Sequence, residues 1–209
     1  MEPLSDTFRS ELDRLFTWRR DVRRFRTDPV DEAVLARGLS AFALGPSVGL
    51  SEPWRLVRIQ SDAARQKALS NFEAANQRAL AGFEGDKAEL YAGLKLSGMR
   101  DAPIQLAIYC DDTTPKGHGL GAETMPEMRR YSVICAIMQM WLALAAEGVG
   151  MGWVSIIDPD KLSEDLNAPK NWTLVAYLCI GWPERHTDLP ELQQAGWETR
   201  ADGLTIVNA

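Results

Sequence analysis

Between Tyr131 and Glu147 the chain places Val133, Ile134, Ile137, Met138, Met140, Trp141, Leu142 and Leu144 on nearly every face of a helix. A helix without a polar face has to be surrounded, either inside a core or between two subunits. Its most apolar part, Val133–Ala146, runs for 14 residues and contains Gln139, which is short of the ~20 apolar residues needed to cross a bilayer. The surroundings must therefore come from protein, with no membrane partner expected. The 209 residues, 45% of them hydrophobic, suffice for a single domain over 1–209 with a real core.

The flanking segments supply the layers. Phe8, Leu12, Leu15 and Phe16 recur at helical spacing and predict an amphipathic helix ending near Arg19, before Asp28-Pro29 breaks the chain. Val34, Leu35, Leu39 and Phe42 predict a second helix, stopped by Gly45-Pro46. Strands are expected at Trp54–Gln60, Ile104–Cys110, Trp153–Ile157 and Thr173–Ile180, with a short helix from Asp158-Pro159 to Leu166. Residues 62–97 read as two helices broken around Gly82–Gly85, poor in large apolar residues and so suited to covering a site. A polar loop follows at Asp111–Met125, and residues 184–209 form a tail of little periodicity, free to wrap a partner. Helices and strands mix without βαβ spacing, so the class is α+β, a sheet with helices packed on it.

The formal charge of −6 argues against a general nucleic-acid binder. Against that background Trp18-Arg19-Arg20-Asp21-Val22-Arg23-Arg24-Phe25-Arg26 sets five arginines within eight positions. Guanidinium groups match phosphate and carboxylate oxygens, while a solvated basic face at a helix end would read the same way. Asp21 sits among cations that favour its ionised form. Gly45-Pro46-Ser47-Val48-Gly49 and Gly148-Val149-Gly150-Met151-Gly152 allow close backbone approach, by a ligand or by the chain itself. The second of these has a helix before it and a strand after it, the reverse of a dinucleotide-binding fingerprint. Cys110, Cys135 and Cys179 lie far apart in apolar stretches and are expected to be buried thiols; with only His118 and His186, no metal site is expected. Met1–Asp6 lacks the features of a signal peptide, so a cytoplasmic location is expected.

Arg19-Arg20-Asp21-Val22-Arg23, Pro46-Ser47-Val48-Gly49 with Pro53-Trp54, Leu94-Lys95-Leu96 with Gly98 and Ala102-Pro103, and Glu147-Gly148-Val149-Gly150 with Gly152-Trp153-Val154-Ser155 together resemble the nitroreductase-like flavoprotein superfamily. Within it they are similar to the BluB branch, the 5,6-dimethylbenzimidazole synthases. Asp188-Leu189-Pro190-Glu191-Leu192 and Gly196-Trp197 extend the likeness into the tail. Ordinary nitroreductases typically carry serine at the position of Asp21.

The resemblance implies a central, mainly antiparallel sheet flanked by helices in an intertwined homodimer, with FMN between the subunits. It implies oxidative fragmentation of reduced FMN by O2 to 5,6-dimethylbenzimidazole and erythrose 4-phosphate, FMN being substrate. NAD(P)H would enter through a separate flavin reductase. Asp21 would be the acid/base group and Ser155 a hydrogen-bonding partner near the reactive edge of the ring. Arg19, Arg20, Arg23 and Arg185 would hold phosphate and polar edge; Ser47 and Gly49 would line the ring from the partner side; Lys95 and Leu96 would belong to a lid; and Gly152 would lie against the flavin. Glu52 stands where relatives often carry Gln, and Leu50-Ser51 replace bulkier residues. The same superfamily contains NAD(P)H-dependent nitroreductases and quinone reductases, a second activity these segments allow; a flavin-binding module without turnover is a third.

Overall fold

A computed structural model describes residues 2–93 and 97–208. The helices are α1 (Asp6–Trp18), α2 (Glu32–Ala43), α3 (Asp62–Leu80), α4 (Asp86–Gly93), α5 (Gly98–Asp101), α6 (Met128–Ala146), α7 (Pro159–Asp165) and α8 (Glu191–Gln194). The strands are β1 (Trp54–Arg58), β2 (Ile104–Asp111), β3 (Gly150–Val154) and β4 (Trp172–Gly181). They form one antiparallel sheet in the order β1-β2-β4-β3.

Helix ends follow local chemistry. Ser5, Asp31, Ser61 and Asp158 each accept a backbone N–H from the first turn of α1, α2, α3 and α7, satisfying donors a helix start leaves open. Pro159 occupies the first helical position of α7, where its missing N–H costs nothing.

Two apolar layers sandwich the sheet. On one side Leu35 and Phe42 of α2 and Val133, Ile137, Met140 and Leu144 of α6 pack on Leu106, Ile108, Leu178 and Ile180. On the other, Ala68 and Phe72 of α3, Met99 of α5 and Leu162 of α7 pack on Ala107, Tyr109, Tyr177 and Cys179. The alternation along β2 and β4 is the period of two that sends neighbours to opposite faces. Because both faces are covered, both strands read as largely apolar runs, and the buried Gln105 of β2 is satisfied by the Met99 carbonyl and the Tyr177 hydroxyl.

Three expectations change. The third strand starts at Gly150 and ends at Val154, earlier than Trp153–Ile157. Gly150, Met151 and Gly152 pair with Gly181, Ile180 and Cys179, so the ladder overrides the poor strand propensity of glycine. Helix α3 is more than a cover, since Ala68, Phe72 and Ala75 are buried. Cys110 and Cys179 are buried but Cys135 is exposed, because it lies on the outward face of α6. Tyr131, Ile134 and Met138 share that outward side, at 45%, 40% and 41% exposure, so α6 is a core helix with a second apolar face open to the surface.

Candidate active site

The arginine run is an extended segment fastened along the edge strand β3. The Val22 N–H donates to the Met151 carbonyl at 3.0 Å, and the Arg26 N–H to the Trp182 carbonyl at 2.8 Å. The Arg23 carbonyl accepts from Ser97 and Gly98, each at 3.1 Å, and the Arg24 carbonyl accepts from Glu184 at 3.1 Å. The Trp141 indole N–H donates to the Arg20 carbonyl at 3.2 Å. Phe25, 2% exposed, pegs the segment into the second core layer, a burial that contributes about 1.5–3 kcal/mol. Backbone and peg are thus committed to the sheet, leaving the arginine side chains to project.

Gly152 is what allows this approach. A Cβ there would stand 2.1 Å from the Val22 carbonyl oxygen, and one on Gly150 would meet Val22 Cγ2 at 2.7 Å. The Val22 backbone therefore accounts for Gly152, and the Val22 and Pro183 side chains for Gly150.

Asp21 ends up at the edge of β3, in a bridge with Met151. Its Oδ1 accepts the Trp153 backbone N–H at 2.8 Å, and its Oδ2 lies 4.0 Å from the Arg23 Nε. Burial pushes the carboxyl pKa up, against the downward pull of the Trp153 hydrogen bond, Arg23 and Arg19; the Glu191 charge adds to the rise. The side chain keeps 44% of its surface open, and solvent on that side limits the rise.

A cleft of about 510 Å³ runs beside it, lined by Arg19, Arg20, Arg23, Arg24, Arg26 and Arg185, with Trp18, Trp141 and Trp182. That volume lies within the ~300–1,000 Å³ usual for small-molecule sites. A smaller recess of about 140 Å³ joins Arg19, Arg20, Asp21 and Arg23 to Glu191 and Arg200. Arg19 lies 4.9 Å from the centre of the Trp141 ring and makes no ion pair among the described residues. The Arg20 and Arg24 Nε atoms are buried without a partner. Burial lowers the Arg19 pKa, partly offset by Asp21, with Arg200 lowering it further; burial, Arg200 and Arg19 lower that of Arg20. Crowded cations with unused donors fit a multiply charged anion such as a phosphate ester.

The other expected residues are placed as follows. Arg185 is exposed on the cleft wall. Ser155 is exposed just past the end of β3, two residues beyond the amide that holds Asp21. Ser47 and Gly49 are not brought to the arginines within one chain. Ser47 Oγ accepts the Glu52 N–H at 3.1 Å, and the neighbouring Val48 N–H donates to Ser132 Oγ at 3.0 Å, near the start of α6. Trp141 is nine residues further along that helix, about 14 Å at 1.5 Å per residue. Glu52 pairs with Lys116. Lys95 and Leu96 lie outside the described residues.

Sequence reasoning missed Glu191 and Arg200. Glu191 Oε1 accepts from Arg24 Nη2 at 3.1 Å, and the Asp188 carbonyl accepts from Arg20. These pairs fold the tail back over the cleft from more than 160 residues away, a separation no local pattern signals. Cys110 and Cys179, pushed up to about 12 chiefly by burial, are not thiolate nucleophiles. Among the described residues no group of His, Cys, Asp and Glu could hold a metal, and no helix is long and apolar enough to cross a membrane.

The model of the nitroreductase family matches residues 16–182. A 5,6-dimethylbenzimidazole synthase of Rhodospirillum rubrum is 51% identical over 199 residues, covering 95% of this chain and 94% of the relative. One of Rhodobacter capsulatus is 46% identical, with 92% and 93% covered. Among solved structures, iodotyrosine deiodinase bound to FMN and 3-iodo-L-tyrosine superposes with a TM-score of 0.76 at 19% identity, covering 95% of this chain and 99% of that one. A BluB-like flavoprotein from Clostridium difficile gives 0.65 at 19%, with 86% and 93% covered. The fold, the cationic cleft and these sequence relatives agree: the chain belongs to the nitroreductase family, in the company of the 5,6-dimethylbenzimidazole synthases.

Proposed function

We propose that this chain is an oxidoreductase that fragments reduced FMN with O2, releasing 5,6-dimethylbenzimidazole, the lower ligand of cobalamin, and erythrose 4-phosphate. The observation that carries the reading is the Asp21 carboxyl group, mounted on the Trp153 amide at 2.8 Å at the mouth of a cleft walled by arginines. Flavin-sized space, spare guanidinium donors and a carboxyl pKa pushed upward fit a phosphorylated ring system that must exchange protons. The two close relatives named as 5,6-dimethylbenzimidazole synthases support the same reading.

Reduced FMN supplies the ring that is cut and the electrons that reach O2. Arg19, Arg20 and Arg23, joined by Arg185 and Arg200, hold its phosphate and polar edge through charge-assisted hydrogen bonds. Asp21 accepts and returns protons beside the ring, a role favoured by the burial that raises its pKa. Ser155 donates a hydrogen bond to the reactive edge, and Gly152 lets the segment that carries Asp21 lie close along β3.

Ser47 and Gly49 complete the site from a second copy of the chain. The apolar outer face of α6 (Tyr131, Ile134, Met138) and the exposed Leu204, Ile206 and Val207 at the end of the tail are the surfaces such a homodimer would cover. The enzyme acts in the cytoplasm and draws reduced FMN from a separate NAD(P)H-dependent flavin reductase.

The test is aerobic incubation with reduced FMN, followed by product analysis. Stoichiometric dimethylbenzimidazole supports the assignment. A flavin spectrum that survives unchanged leaves a binding protein, and rapid NAD(P)H-driven reduction of nitroaromatics without loss of FMN leaves a nitroreductase.

A further inference from the structure

Helix α4 has a weak hold on the molecule: none of its residues 86–92 is buried. What it has is aromatic. Phe83, just before it, stacks on Tyr91 at 4.9 Å between ring centres, and the Tyr91 hydroxyl donates to Asn76 Oδ1 of α3 at 2.9 Å. Trp197 of the tail closes the group, edge-on to Phe83 at 5.6 Å and tilted on Tyr91 at 6.3 Å. It is the only Phe, Trp or Tyr after Trp182. A glycine at φ +75, Gly196, turns the chain after α8 so that the Trp197 N–H reaches the Leu192 carbonyl at 2.9 Å.

The same stretch of tail is tied to the cleft on either side of Trp197. Before it, the Asp188 carbonyl holds Arg20 and the Glu191 carboxylate holds Arg24. Three residues after it, Arg200 enters the recess shared with Arg19, Arg20, Asp21 and Arg23. On the α4 side, burial raises the Tyr91 hydroxyl pKa against the pull of the Arg23 charge.

We propose that Trp197 is a positioning residue that couples the α3–α4 hairpin to the arginine cleft: its indole clamps the hairpin to the strap of tail that delivers Glu191 and Arg200. The inference rests on the reading of the cleft as a flavin phosphate site. A phosphate drawing in Arg20, Arg24 and Arg200 orders the strap, and the strap, through Trp197, holds Phe83 and Tyr91 down. Linkage makes the coupling reciprocal, so a docked hairpin tightens the grip on the anion.

The experiment uses the full chain with FMN and with riboflavin, which has the same ring without the phosphate. FMN should slow amide exchange around Phe83–Tyr91 in the unmodified protein, and riboflavin should do so far less. Trp197→Ala should abolish that protection and speed FMN release about tenfold, with Trp197→Phe restoring most of both, as an aromatic contact of this kind would. Phe83→Ala approaches the contact from the other side and guards against misfolding of a single variant. The double variant should release FMN no faster than either single one. Unchanged protection in Trp197→Ala, equal protection by riboflavin, or strictly additive effects overturns the clamp. Product analysis of the unmodified protein judges the catalytic reading separately: FMN-dependent protection without dimethylbenzimidazole would leave the clamp standing and remove the reaction, and failure to bind FMN would remove both.

Discussion

Asp21 receives its hydrogen bond from the main chain of Trp153, across 132 positions of sequence, at 2.8 Å. The asparagine of Asp21→Asn keeps a carbonyl oxygen for that N–H but loses the charge that faces Arg23 and the ability to take up and return a proton. FMN affinity should stay within about threefold, while dimethylbenzimidazole formation should fall by about 10²–10⁴, the usual contribution of a positioned acid/base group. Fluorescence titration with FMN and product assay of the same preparation check both halves.

The pKa of Asp21 also carries a stability prediction. Its folded-state value lies above the ordinary one, mainly through burial. Such a group stabilises the fold fully only below its unfolded pKa, and that contribution is lost as pH rises through the folded value. At neutral pH the ionised carboxylate is therefore a liability that Asp21→Asn removes. The variant should melt at the same temperature as the parent or higher at pH 7, with its advantage shrinking as the pH falls toward the ordinary carboxylate range. Paired thermal melts across pH 4–8, a range set around the reference carboxyl pKa, would show it.

Removal of a phosphate-facing arginine should separate FMN from riboflavin. Arg19 makes no ion pair among the described residues, so Arg19→Ala leaves no carboxylate stranded there. A hydrogen bond to a charged group is worth about 1.5–3 kcal/mol, so FMN affinity should drop about tenfold or more with riboflavin affinity little changed. Calorimetric titration with both ligands, repeated at higher salt, is the check.

Gly152→Ala should damage the fold and the site together. The added methyl would lie 2.1 Å from the Val22 carbonyl oxygen, a backbone atom that cannot swing aside. Overpacking of this kind costs about 1–3 kcal/mol or more, and the relief available is displacement of the arginine segment from β3. Denaturant midpoints and FMN affinity should fall in parallel.

The outer face of α6 can be tested for assembly. Ile134→Glu substitutes a side chain that is 40% exposed in the single chain, where surface changes alter stability by within about 0.5 kcal/mol. Loss of a dimer in sedimentation, accompanied by a clear drop in melting temperature, would mark that face as covered in solution. An unchanged mass and melt would leave it a surface.

Local rules revealed most of the elements and little of what holds the site closed. The periodicities of α1, α2 and α6 and the apolar runs of β2 and β4 are properties of short windows, and the helix break at Gly82–Gly85 is punctuation. The start of β3 was hidden because glycine gives no strand signal; its partner, β4, supplies the order. The all-round apolarity of α6 is plain, but a sequence does not say which side faces the core, and Cys135 stands on the outward one. Arg19, Arg20, Asp21 and Arg23 stand together in the chain and stay together in the fold. Glu191, Trp197 and Arg200 are brought to them only by the path of the tail. The faint clue was a lone tryptophan in a polar tail, matched by Phe83 and Tyr91 around the helix break of a polar hairpin.

If the unpaired guanidinium donors around Arg19, Arg20 and Arg24 hold the flavin phosphate as proposed, they impose an order on departure. A pocket that grips its substrate by the phosphate retains whichever fragment keeps that group. The uncharged bicyclic product can leave first, and the sugar phosphate stays behind as the natural competitor of the next flavin. Under that reading turnover would wait on the discarded handle, and small anionic esters would compete with the flavin.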